Sequence, residues 1–214
     1  MPGLSPKFSV GEEIAHAATH GIGLLGAICA TWWMVDEALL RGDVGHVAAV
    51  TVFGLTLVNL YTASTFCHAL PSGPSKRAFE LLDYTGIYAL IAGTYTPFLV
   101  GPLRGPFGWT FFSIVWSLAV LGMLVELSKG PRRLGISMAL YLGMGWMGVA
   151  TAPSLAQQIP MEGLLMLLWG GLAYTFGVLF YLWRGFRFHH AVWHLFVLAG
   201  SALHVHAAVL YALP

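Results

Sequence analysis

Seven apolar stretches, each about the length a bilayer demands, occupy most of this 214-residue chain. They run roughly over 17–37, 47–69, 83–101, 109–127, 135–153, 163–183 and 190–212. A hydrocarbon core takes about 20 apolar residues per helix. Inside it every backbone N–H and C=O must be satisfied within the segment or in a closed barrel. Runs of this length and continuity therefore predict an all-α, polytopic fold: one seven-helix transmembrane domain over 1–214. The composition leaves no room for a soluble domain. Charged residues make up 9% of the chain and hydrophobic ones 57%, against about 25% charged in soluble domains.

The linkers hold nearly all the charge, as in RGDVGH (41–46), PSGPSKRAFE (71–80), PLRGPFG (102–108) and SKGPRR (128–133). With seven spans, eight of the ten basic residues fall on one side. They are Lys7, Lys76, Arg77, Lys129, Arg132, Arg133, Arg184 and Arg187. Arg41 and Arg104 fall on the other. Basic loops stay inside, so the N-terminus is expected inside and the C-terminus outside, in the plasma (inner) membrane. The opening MPGLSPKFSV lacks the apolar run of a signal peptide, and the first span is expected to serve as the insertion signal. Cys29 and Cys67 lie within apolar runs, which argues against a disulfide framework. A net charge of +1 gives no footprint for nucleic acid.

Against this apolar background, ionisable residues at membrane depth stand out, because they are costly and usually mark a site. His68 closes the second span and Asp83 opens the third. His190 and His194 open the last, one helical turn apart and on one face. Topology places all four at the inner end. Three imidazoles and a carboxylate at one depth form a zinc donor set. Ser64 lies one turn deeper than His68 on the same face, where its hydroxyl can orient water or substrate. Plainer roles exist for some of these groups. Asp83 suits a helix N-cap, and Ser64 can back-bond to its own helix.

Further histidines accompany the set. His16 and His20 lie at the inner end of the first span as reserve ligands or supporting groups. Packing is the expected role of His16, and for His20 the two roles stand level. A ligand histidine needs a partner for its second nitrogen, and Glu12 and Glu13 are near enough in sequence to supply one. Cys67 points about 100° away from its neighbour His68 and is read as packing. His46, His204 and His206 are read as structural or interfacial. GIGLLG (21–26) lacks the preceding strand of a dinucleotide fingerprint, and HHAVWH (189–194) lacks the glutamate of a zinc protease.

Four stretches together resemble the hemolysin III family, the bacterial branch of the progestin and adipoQ receptor superfamily. They are EEIAHAATHGIG (12–23), STFCHAL (64–70), LLDYTGIYALIAGTYTPF (81–98) and HHAVWHLFVLAGSALHVH (189–206). The first departs from the pattern at His16, where many members carry Asn. The resemblance covers nearly the whole chain. It implies Zn2+ held by His68, His190 and His194, with Asp83 on a water at the metal. Similar elements occur in the alkaline ceramidases, which are zinc-dependent lipid amidases. A lipid amide or ester hydrolase acting on a membrane lipid or acyl chain is the function this implies. Asp83 would serve as general base, with Ser64 beside it. Two other classes stay open: a membrane receptor or sensor with structural zinc, and a pore-forming haemolysin, as the family name has it.

Overall fold

Ser9 starts the first helix by accepting from the Glu12 N–H, while the Glu12 side chain reaches back to the Ser9 N–H. This reciprocal box satisfies two of the amides that a helix start leaves open. Asp43 and His46 repeat it at the second helix. Pro74 and Pro106 open the third and fourth, where a missing N–H costs nothing. The computed structural model describes residues 8–128 and 134–214. Among them every element is helical: α1 Val10–Arg41, α2 Val44–Ala69, α3 Pro74–Val100, α4 Pro106–Leu127, α5 Leu134–Trp146, α6 Gly148–Leu155, α7 Met161–Leu182 and α8 His189–Ala207. A π-helical turn, Ala208–Ala212, extends α8.

Six of these segments are long and apolar enough to cross a membrane, with α5 and α6 counted together and α8 joined to its π turn. The remaining helix, α3, has the length but carries Lys76, Arg77, Glu80 and Asp83 in its first ten residues. It also begins nine residues before Asp83. The segment 74–80, expected as linker, is helical, and Asp83 sits in the third turn rather than at an N-cap. Of the basic residues behind the expected orientation, Lys7, Lys129, Arg132 and Arg133 lie outside the described residues.

Apolar side chains cover the outside of the bundle as well as its interior. Ile22, Leu25 and Trp32 on α1, Leu121 and Leu124 on α4, and Trp169 and Phe176 on α7 all face outward. Lipid gives no hydrophobic drive for helices to associate, so close steric fit must hold them. Small residues supply it. A Cβ at Gly122 would stand 2.2 Å from the Tyr88 ring, and one at Gly93 2.2 Å from Thr56 Oγ1. These two contacts seat α4 and α2 against α3. The chain end closes the ring, with α8 packed on both α7 and α1.

The α5–α6 span is broken at Met147, and Pro153 lacks the N–H that would continue the helix ladder. Tyr95 of α3 bridges the break. Its hydroxyl lies 2.9 Å from the Met144 carbonyl and 2.6 Å from that of Gly145, and it accepts from the Gly148 N–H at 2.8 Å. Trp146 of α5 donates to Thr175 Oγ1 of α7 at 3.1 Å, but the two helices otherwise touch sparsely.

At the end opposite the histidines, Arg104 pairs with Asp43 and donates to its Oδ1 at 3.0 Å. The Arg104 guanidinium beside Asp43 holds that carboxyl well below the usual carboxylate range. A depressed folded-state pKa adds stability above the unfolded value and loses it as pH falls through the folded value. The pair's contribution should therefore be constant from neutral pH down to about 4 and decline only below that. Thermal unfolding in detergent across this range, beside an Asp43→Asn variant, checks it. The variant should lack the low-pH decline that this carboxylate causes.

Candidate metal centre

Two helices deliver the three histidines to one end of the bundle. His68 lies in the last turn of α2, and His190 and His194 lie in the first turns of α8. One ligand nitrogen from each falls within 4.8 Å of the other two. Tetrahedral zinc, with Zn–N of about 2.1 Å, sets its nitrogens about 3.4 Å apart, so small side-chain rotations would close the group on an ion. His68 and His194 are buried and His190 is half-buried.

The start of α8 is set by an unusual backbone. Phe188 has φ 61°, in the left-handed region, which a bulky residue rarely adopts. Its N–H donates to Glu12 Oε1 at 3.3 Å. This turn points the first residues of α8 back toward α1. Glu12 thus serves both the α1 cap and the α8 entry.

Each of two ligand candidates has its other nitrogen occupied. His68 Nδ1 donates to Glu13 Oε2 at 2.7 Å. Lys76 donates to the second Glu13 oxygen at 2.9 Å and to the Cys67 carbonyl at 2.7 Å. His194 Nδ1 lies 2.9 Å from Thr19 Oγ1, whose hydroxyl lies 2.9 Å from the Ala15 carbonyl. An Nδ1–H on each ring satisfies these partners and leaves Nε2 bare, the form that binds a metal. Glu13 is the partner that sequence proximity offered. Nothing in the sequence pointed to Thr19, because a threonine more than two turns into α1 reads as an ordinary helix hydroxyl.

Comparison with known proteins decides the family. The family model described as "Haemolysin-III related" matches residues 8–205. This chain belongs to the haemolysin III family. It is 42% identical over 195 residues to the "Hemolysin-3 homolog" of Bacillus subtilis (strain 168), covering 91% of this chain and 92% of that one. To "Hemolysin-3" of Bacillus cereus it is 41% identical over 205 residues, 96% and 94% of the two chains. The "Monocyte to macrophage differentiation factor" of Homo sapiens is 29% identical over 209 residues, 92% and 82%. Such relatives carry the resemblance out to the progestin and adipoQ receptor superfamily. Family membership and the apolar helices together make the chain an integral, multi-pass membrane protein.

In this haemolysin III family member, the site opens onto a cavity of about 440 Å³. His68, His190, His194, Asp83 and Ser64 all line it at one end. Asp83 stands on the wall formed by α3, outside the tight ligand group. Ser64 is buried, and its hydroxyl makes no hydrogen bond, so the back-bond to its own helix is not formed. Away from the histidines the walls are Ile87, Ile91, Phe98, Leu142, Leu164 and Leu168, with others like them. The cavity thus runs along α3, α5–α6, α7 and α8 as an apolar slot with a polar end. Phe8 covers that polar end, its ring 4.6 Å from His16 and 5.3 Å from His190.

The other histidines separate clearly. His20 lies flat on His194, ring centres 3.5 Å apart and planes at 10°. His189 Nδ1 donates to the Phe180 carbonyl at 2.9 Å, and His204 Nδ1 to the Gly200 carbonyl at 2.8 Å. His46 belongs to the Asp43 cap. His16, expected as packing, is fully buried against the rings of His68 and His190.

Proposed function

We propose that this protein is a zinc-dependent hydrolase of a membrane lipid amide or ester, with a ceramide-like amide as the leading substrate. The observation that carries the reading is the shared cavity. It joins a triple-histidine group, a carboxylate and an unbonded buried hydroxyl to an apolar slot sized for a ligand. Ligand sites commonly span about 300–1,000 Å³ and are mostly apolar with a few convergent polar groups. An acyl chain fits the wall chemistry, and the sparse contact between α5–α6 and α7 offers lateral access from lipid. The same apolar lining favours a lipid-binding slot over a water-filled pore.

His68, His190 and His194 would hold the ion, each through Nε2 or its remaining nitrogen. When bound, zinc supplies Lewis acidity, lowering the pKa of a water and polarising a carbonyl. Asp83, across the cavity, takes up the proton as general base and returns it to the leaving amine or alcohol. Ser64 Oγ, buried between His68 and the slot, hydrogen-bonds the substrate head and orients its carbonyl. The apolar walls exclude competing water.

Purified protein in detergent or liposomes should release fatty acid from a lipid amide or ester series. Asp83→Ala should lower that rate about 10²- to 10⁴-fold with zinc content unchanged. Equal turnover by the two proteins would remove Asp83 from the chemistry, and no turnover on any lipid amide or ester would remove the hydrolase reading.

A further inference from the structure

The rings of His16, His68, His190 and His194 form a tetrahedron. All six centroid separations lie between 4.6 and 5.6 Å, and all six interplanar angles between 59° and 69°. With Zn–N of about 2.1 Å and a ring centre about 1.1 Å behind the nitrogen, four imidazoles around a tetrahedral ion have centroids about 5.2 Å apart. The observed separations bracket that value. The tilt matters equally, because a metal lies in the plane of each imidazole that binds it. Four planes inclined to one another can share a point.

His20 shows what the same chemistry looks like without that geometry. It is also buried and also lacks hydrogen-bond partners. Its plane, however, runs parallel to that of His194 at 3.5 Å, and two parallel planes cannot contain one ion. His189 is excluded by its bond to the Phe180 carbonyl. His16 has no such alternative. Both of its nitrogens are buried and neither has a partner. An unbonded buried imidazole forfeits its hydration, a loss that a metal bond would offset. Ligand atoms of His16, His68 and Glu13 lie within 4.8 Å of one another, as a second group that shares only His68 with the triple-histidine one. Glu13 is already engaged by His68 Nδ1 and Lys76, which leaves His16 as the uncommitted donor.

We infer that His16 is a fourth protein ligand, making the metal centre an all-imidazole site that is closed at rest. The inference rests on the metal-site part of the function proposed above and not on hydrolysis. Zinc sites with four protein ligands hold their ion without an open position. Hydrolysis would then require His16 to withdraw, and Phe8, packed edge-on to the His16 ring, is the neighbour that would move with it.

The test uses the full chain in detergent, stripped with a chelator and reloaded with Co2+ alone. Wild type should show the intense visible band of four-coordinate cobalt. His16→Asn should still bind one ion, with the band shifted in position as a water oxygen replaces an imidazole nitrogen among the four ligands. Its zinc affinity, by competition with a chromophoric chelator, should fall at least about tenfold. A variant that keeps wild-type band and affinity would overturn the inference and leave the triple-histidine site standing. Wild type that binds neither ion would overturn both. X-ray absorption of zinc-loaded wild type needs no variant: four imidazoles per ion supports the inference, and three overturns it.

Discussion

Replacing His190 and His194 together with alanine should empty the metal centre. Wild type purified without chelator should carry about one zinc per chain and the double variant essentially none, by elemental analysis. The effect is large because both residues leave one face of α8, one turn apart. Their loss removes two ligand nitrogens from a group spanning 4.8 Å. What remains, His68 with His16, cannot hold zinc against solvent at physiological concentrations. The helix itself should persist, since alanine is the strongest helix former and α8 is held elsewhere. Tyr61 and Tyr174 both bond Ser201 Oγ, at 2.7 and 2.9 Å, two turns further along. Unchanged helicity by circular dichroism would show that metal loss is not unfolding. Zinc absent from wild type and variant alike would refute the metal centre.

Glu13→Gln should weaken zinc binding about 10- to 100-fold, the usual cost of losing a ligand's hydrogen-bond partner. The Glu13 carboxylate accepts from His68 Nδ1 with one oxygen and from Lys76 with the other. It thereby fixes the His68 tautomer and raises the basicity of the nitrogen left for the ion. An amide of the same size keeps one acceptor and loses the charge, so either His68 or Lys76 goes unserved. Glu37→Gln is the control. Glu37 pairs with Arg41 at 3.0 Å near the far end of α1 and touches no ligand candidate. Chelator competition should find its affinity within about threefold of wild type. Equal affinity for Glu13→Gln and wild type would make the Glu13–His68 bond incidental to the metal.

Much of the candidate site was legible in the sequence, and particular residues show why. His68, His190 and His194 lie far apart in sequence yet at one depth, because each sits at the same end of an apolar run. Ser64 followed from helical spacing to His68. The Asp83 surroundings were harder: charge at 76, 77 and 80 resembles a linker, whereas the segment is the start of α3, opened by Pro74. The fifth span read as one unbroken run, 135–153. The break itself falls at Met147, where the Tyr95 hydroxyl satisfies the freed backbone groups from another helix. Thr19 and His16 were the hardest, since their roles depend on partners from α8, more than 170 residues away.

Hydropathy acts along one dimension. From it the sequence alone determined that the chain is helical and membrane-embedded, and which titratable groups share a level along the bundle. Tertiary structure decided the rotation of each helix about its axis, which hydropathy cannot specify when both faces are apolar. That rotation turns His16 toward His68 and His190, lays His20 flat on His194, and leaves α5–α6 in sparse contact with α7. Ligand geometry and the cavity beside it depend on these angles. The angles are set by contacts such as Gly122 with Tyr88 and Gly93 with Thr56, made between helices distant in sequence.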